Sequence, residues 1–386
     1  MKDFIIVTTP VYITVFWAIV FLTGNIFQNK AKFILGLFMA ITALLFSCQA
    51  FFFLGYREIY LAIDALYIFT SLSAYPLYYW YIKLLTVESR LEVYNLLHFI
   101  PAILISVLVE LFNIIATPAE QLKYLSEVLY GNHWWYITEP GNVGWMARIF
   151  FLSRLVFFAQ VLYCLLLGYR LATIHNKRIE DFYSNLDNRR LVWVKLITLS
   201  LLAASLASIV FNILGRGVFQ SSRSSLISAS VIFSSVVLIA GLLGNKQNNT
   251  VTEIADEMDI LPVQAWTEKS HEILKKRLEE ILLRDRMYLI PDLKITTICK
   301  VLNTNRTYVS NIINEENGCN FNTYINRFRI NHALQLMNKR GAGSLVIEHI
   351  AEESGFGSLS SFIRAFKTIK GIPPGRYMQE MRIQDQ

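Results

Sequence analysis

Seven apolar runs fill the first 244 residues, and they constrain the fold more than any motif does. They are Phe4–Leu22, Phe33–Leu54, Ile59–Leu85, Tyr94–Ala116, Met146–Ala172, Leu191–Leu214 and Ser224–Leu243. A bilayer core of about 30 Å takes roughly 20 helical residues, and each run is long enough to cross it. Charge follows the same division. Residues 1–244 hold 17 Lys+Arg and 12 Asp+Glu, whereas the remaining 142 residues carry 36 of the chain's 65 charges. A membrane-embedded front followed by a water-soluble back produces that split. The expected fold is all-α: a seven-helix transmembrane module over 1–244, a linker and helix over 245–286, and a soluble domain over 287–386. The first run is longer than a secretory h-region and lacks a small-residue cleavage pattern, so it reads as a retained membrane helix.

An odd number of crossings puts the two ends of the module on opposite sides. Lys30, Lys32, Lys83, Arg90, Arg170, Lys177, Arg178, Arg189 and Arg190 fall on one side; Lys2, Arg57, Lys123, Arg216 and Arg223 fall on the other. Positive loop residues are retained in the cytoplasm, so the first side is expected inside, the N-terminus outside and the C-terminal part in the cytoplasm.

Within the module, Tyr75, Tyr78, Tyr79, Trp80 and Tyr81 read as an aromatic belt at the membrane interface, and Pro76 as a kink. Ser200, Ala204 and Ser208 are spaced to let helices approach closely. Asp64, Glu110, Arg148 and Arg154 fall at one depth, toward the outer ends of their runs. Ionisable groups at that depth are costly unless paired or hydrated. Two readings stay open: ion pairs locking three helices together, or a ligand pocket open to the outside. In the second reading the loop Thr117–Trp145, with His133, Trp134, Trp135 and Tyr136, is its lid. No HExxH, GxSxG or Walker loop is present, so no enzyme chemistry is located. Cys48, Cys164, Cys299 and Cys319 show no zinc-binding spacing, and neither a metal nor another cofactor is implied.

After a polar exit from Asn245, a helix is expected over Trp266–Arg286, with Ile273, Leu274, Leu278, Ile281 and Leu282 on one stripe. That stripe suits either pairing of two copies into a homodimer or packing on the next domain. From residue 287 onward basic residues outnumber acidic ones, which fits a polyanionic partner. One pattern then occurs twice. Leu293–Val301 supports, Leu302–Thr304 turns, and Asn305 caps RTYVSNIIN; later Ile347–Glu353 supports, Ser354–Phe356 turns, and Ser358 caps LSSFIRAFKTIK. Gly355 suits the positive φ that such a turn requires. Phe321–Lys339 has the spacing of one continuous helix between them. Two helix-turn-helix units on such a spacer can address successive major-groove faces about 34 Å apart.

The stretch IEHIAEESGFGSLSSFIRAFKTIKGIPPGRY, with FNTYINRFRI before it, resembles the DNA-binding domain of the AraC/XylS family of transcription regulators. The resemblance covers residues 287–382. It departs from the family pattern at Cys299, where Ala is usual, and at Asn303, where Gly is common. It implies sequence-specific contact with double-stranded DNA by Arg306, Thr307, Ser310 and Asn311 in the first unit. In the second it implies base contact by Leu359, Ser360, Ser361 and Arg364, and phosphate contact by Lys367. Val309, Ile312, Ile313, Phe356, Phe362 and Phe366 would be core. Arg364 is the best candidate for reading guanine, because guanidinium can donate two parallel hydrogen bonds to O6 and N7. The combined reading is a multi-pass sensor of the bacterial inner membrane that regulates transcription without a phosphorelay. Its partners are DNA, the lipid bilayer and a small ligand from the outer side, and its signal passes through 245–286. A transporter or membrane enzyme with a regulatory tail, and a scaffold whose helix-turn-helix module binds protein, are the alternatives.

Overall fold

The computed structural model describes residues 2–24, 29–87, 93–187, 191–214, 223–246, 268–340 and 347–384. Arg90, Arg189, Arg190 and Arg216 of the charge count, and most of the linker after Asn245, lie outside them. The chain divides into two compact units: Met1–Thr173 with Val192–Asn249, and Ile174–Leu191 with Thr250–Gln386. Among the described residues both are built from helices, and the one β-bridge pairs Tyr183 with Lys294.

The first unit contains α1 (Lys2–Leu22), α2 (Lys30–Phe53), α3 (Arg57–Ala62), α4 (Asp64–Thr86), α5 (Ile100–Ile115), α6 (Pro118–Lys123), most of α7 (Gly141–Glu180), α8 (Val192–Leu214) and α9 (Arg223–Asn245). Five described helical stretches are long and apolar enough to cross a membrane: Phe4–Leu22, Lys30–Phe53, Tyr94–Ile115, Gly141–Glu180 and Leu226–Asn245. The run expected to be continuous from Ile59 to Leu85 is instead divided at Ile63, whose φ of −110° ends α3. Asp64 then opens α4, where a carboxylate complements the exposed amides of a helix start. The tyrosines read as an interface belt are partly interior. Tyr78 and Tyr81 are buried, and the Tyr78 hydroxyl shares a 2.9 Å hydrogen bond with Thr198 Oγ1 on α8. Period alone places an aromatic on a helix, but the neighbouring helix decides whether its hydroxyl finds a partner indoors.

The second unit contains α10 (Glu268–Leu283), α11 (Ile295–Leu302), α12 (Arg306–Asn317), α13 (Phe321–Arg340), α14 (Ile347–Glu353), α15 (Leu359–Lys370) and α16 (Pro374–Gln384). Local chemistry sets these boundaries. Asn303, at φ 50°, stops α11 in the left-handed region, which asparagine tolerates better than most side chains. The Asn305 side chain accepts from Tyr308 N at 3.2 Å to start α12. Ser358 Oγ accepts from Ser361 N at 3.1 Å to start α15, and Gly371 ends it at φ 81°. Helix α13 serves two cores. Its first half packs Phe321, Tyr324 and Ile325 with Ile295, Ile298, Val309, Ile312 and Ile313. Its second half packs Ile330, Ala333 and Met337 with Ile350, Phe356, Phe362 and Phe366.

Candidate DNA-binding surface

Helices α12 and α15 each begin at a side-chain cap, turn an apolar stripe inward and leave the opposite face open. On α12, Val309, Ile312 and Ile313 are buried, while Thr307 and Asn311 are exposed. Ser310 is half-buried and accepts from Asn314 Nδ2 at 3.2 Å. On α15, Phe362 and Phe366 are fully buried, while Leu359, Ser360, Arg364 and Lys367 are exposed. Ser361 is half-buried, with its Oγ donating to Ser358 O at 2.8 Å. The turn before α15 requires glycine. Gly355 has φ +81°, and a Cβ there would lie 2.7 Å from the Leu289 backbone. Cys299 is buried beneath α12, and burial pushes its thiol up to about 11, so it packs as a small apolar group.

Arg306 differs from the other proposed readers. It is half-buried, with its guanidinium 5.4 Å from the centroid of the Phe182 ring. Burial lowers its pKa from the ordinary arginine value, and the Asp181 carboxylate opposes the shift. Burial likewise raises the Asp181 carboxyl, with Arg306 opposing. Both partners come from the segment that enters this unit from α7, more than a hundred residues earlier. Nothing in the motif pattern of residues 287–382 points to that segment.

A further buried cation organises the unit. Arg329 on α13 is 1% exposed, and its guanidinium donates to Tyr288 O and Ile290 O at 2.7 Å, Ser184 Oγ at 3.0 Å, Pro291 O at 3.2 Å and Ser184 O at 3.3 Å. Five contacts to oxygen compensate its burial, which lowers its pKa to about 10 and leaves it charged at neutral pH. By sequence it is one more arginine in an expected spacer helix.

The four ionisable residues singled out in the first unit have the following contacts among the described residues. Asp64 is buried and accepts from the Tyr124 hydroxyl at 3.0 Å. Arg154 donates to Asn132 Oδ1 at 2.7 Å and lies 4.0 Å from the centroid of the Phe150 ring. Arg148 donates to the carbonyls of Ile137 at 2.9 Å and Glu139 at 3.2 Å, over Trp145, and Glu110 is exposed. Of the four, Arg154 lines a cavity of about 780 Å³ whose walls are mainly apolar, with Phe38, Phe46, Phe157 and Phe233 among them. Trp134 of the expected lid also lines it, whereas His133 stacks on Trp135 and bonds Glu127 Oε2 at 2.9 Å.

The C-terminal geometry agrees with comparison to known proteins. Residues 298–380 match a family model described as a helix-turn-helix domain. The chain is 31% identical over 91 residues to an uncharacterized HTH-type transcriptional regulator, YtdP, of Bacillus subtilis, covering 24% of this chain and 11% of that protein. It is 36% identical over 81 residues to the TCP pilus virulence regulatory protein of Vibrio cholerae, covering 21% of this chain and 28% of that one. The chain thus spans only about a tenth to a quarter of the length of these relatives. No solved structure matches it. The similarity is thus to a helix-turn-helix domain, and both relatives carry the names of regulators, one of them of transcription.

Proposed function

We propose that this chain is a membrane-bound one-component transcription regulator, with seven crossing helices and two helix-turn-helix units that bind promoter DNA in response to a signal at the membrane module. The observation that carries the DNA half is the pair of capped helices α12 and α15, each exposing polar residues and each anchored to α13, within a stretch that matches a helix-turn-helix domain. Arg364 and Lys367 are exposed on α15, and on this reading they reach a base edge and a phosphate. The names of the two relatives, one a transcriptional regulator and the other a virulence regulatory protein, support the same reading.

The membrane half is supported by surface chemistry. Helix α5 exposes Leu104, Val107, Leu111 and Ile114 at 57, 59, 48 and 72%. A contiguous apolar face of that kind is an aggregation liability in water and an ordinary lipid-facing surface in a bilayer. The bias of positive loop residues then orients the chain in the bacterial inner membrane, N-terminus out and C-terminal unit in the cytoplasm. The cavity beside Arg154 is the site at which a ligand acts. Its volume suits a small molecule, and its walls select one that is largely apolar.

Crosslinking the intact chain to chromosomal DNA in its host, then measuring mobility shifts on the recovered duplexes, tests the reading. Arg364→Ala should weaken the recovered site about tenfold or more and relax preference at one base position. A uniform loss on all sequences would make Arg364 a phosphate contact, and failure to recover any site would remove the regulatory reading.

A further inference from the structure

The end of α7 and the residues after it are packed into the second unit, where Glu180 and Asp187 meet helix-cap residues. Ile179, Phe182 and Tyr183 are 0% exposed in the same core as α11 and α12. Main-chain bonds fix the segment as well: Ser184 N donates to Leu293 O and Ile295 N to Phe182 O, both at 3.0 Å. Glu180 Oε2 accepts from Asn320 Nδ2 at 2.8 Å, and Asn320 itself caps α13 by accepting from Thr323 N at 2.9 Å. The guanidinium of Arg306, the first residue of α12, lies 5.4 Å from the centroid of the Phe182 ring, and the Asp181 carboxylate favours its charged form. Asp187 Oδ2 accepts from Ser358 Oγ, the cap of α15, at 2.6 Å. Next to it, a Cβ on Gly357 would lie 2.4 Å from Asn185 Nδ2, so the two residues approach closely.

Helix starts carry partial positive charge and unpaired amides, which is why DNA phosphates favour them. Here the cap of α15 already donates to the Asp187 carboxylate, and the arginine expected to read a base from α12 lies over the Phe182 ring. Resting on the reading of this unit as DNA-binding, we propose that segment 180–187 is an intrachain competitor of DNA, an acidic strap that occupies the leading ends of α12 and α15 and must leave them before a promoter is bound tightly. The strap continues directly from α7, the helix that also carries Arg154. A ligand that moves α7 therefore has a covalent route to the recognition helices that does not pass through the linker after Asn245.

Locking the strap tests this. In the full chain, solubilised in detergent with Cys319→Ser, the pair Asn185→Cys and Gly357→Cys places two thiols across the contact. The probe is a fluorescent duplex enriched from a random pool by the reduced wild-type chain. Oxidation should weaken binding at least tenfold, and dithiothreitol should restore it. Equal binding by oxidised and reduced protein would overturn the proposal. Independently, Glu180→Gln, Asp181→Asn and Asp187→Asn together should raise affinity about tenfold, as expected when helix-end charge contacts are removed. Unchanged or weaker binding with a lowered melting temperature would make the segment purely structural and sink the strap. If the reduced wild-type chain enriches no duplex at all, the DNA-binding reading fails first and takes the strap with it.

Discussion

Replacing Arg329 with methionine removes the guanidinium while keeping an unbranched side chain, and its consequence can be worked bond by bond. Five contacts disappear, but not every acceptor is stranded. Ile290 O still accepts from Leu293 N at 3.3 Å, and Ser184 O from Asn322 Nδ2 at 2.6 Å. Tyr288 O and Pro291 O lose the donors that Arg329 supplies, but Pro291 is exposed and its carbonyl can turn to water, so Tyr288 O is the buried acceptor left stranded. A stranded buried carbonyl costs about 1–3 kcal/mol. Relief of the buried charge offsets part of this, leaving about 1–2 kcal/mol. The loss should be local, because Arg329 ties Ser184 to the stretch Tyr288–Pro291. Hydrogen exchange on the full chain, read at the amides of Ser184 and Ile295, should therefore accelerate about 5- to 30-fold, since each 1.4 kcal/mol is tenfold. These amides bond across the segment at 3.0 Å and report its detachment directly. Exchange at both within threefold of wild type would refute the reasoning, because it would mean that the segment is held without the arginine.

Three further outcomes rest on single features. Gly355→Ala and Gly371→Ala both place a side chain at φ +81°, but only the first meets backbone, at 2.7 Å from Leu289. Gly371→Ala should cost about 1–2 kcal/mol of strain and Gly355→Ala at least about 2 kcal/mol more, compared by thermal melting; equal costs would discard the contact with Leu289. A reporter fused after Lys246 should be active only in the cytoplasm and one near Asn132 only outside, and the reverse pattern would end the DNA-binding account. Arg154→Ala should leave abundance and basal DNA binding intact while abolishing the response to an external signal. A fall in abundance with the response preserved would make Arg154 a structural lock rather than part of a ligand site.

Features set by near neighbours in the chain are legible in the sequence alone. Asn303, Asn305, Gly355 and Ser358 specify their turns and caps through atoms within a few residues, so α12 and α15 start where the sequence places them, while α11 runs Ile295–Leu302 rather than Leu293–Val301 and α12 extends to Asn317. The inward stripe of Val309, Ile312 and Ile313, and that of Phe362 and Phe366, follows from helical period alone. Other features depend on partners distant in the chain. Apolar runs specify depth along a helix but not azimuth, so they do not reveal that Asp64 meets the Tyr124 hydroxyl or that Arg154 meets Asn132. Tyr78 turns inward because Thr198, 120 residues later, meets its hydroxyl. Arg329 reads as a solvent-facing base until Ser184, 145 residues earlier, and the carbonyls around Ile290 surround it. The acidic strap is the extreme case. Glu180, Asp181 and Asp187 look like loop charges beside a membrane helix, and only the folded chain brings them to the ends of α12, α13 and α15. Caps and periods act over one or two helical turns, whereas burial of a charge or a hydroxyl is settled by whichever surface folding brings against it.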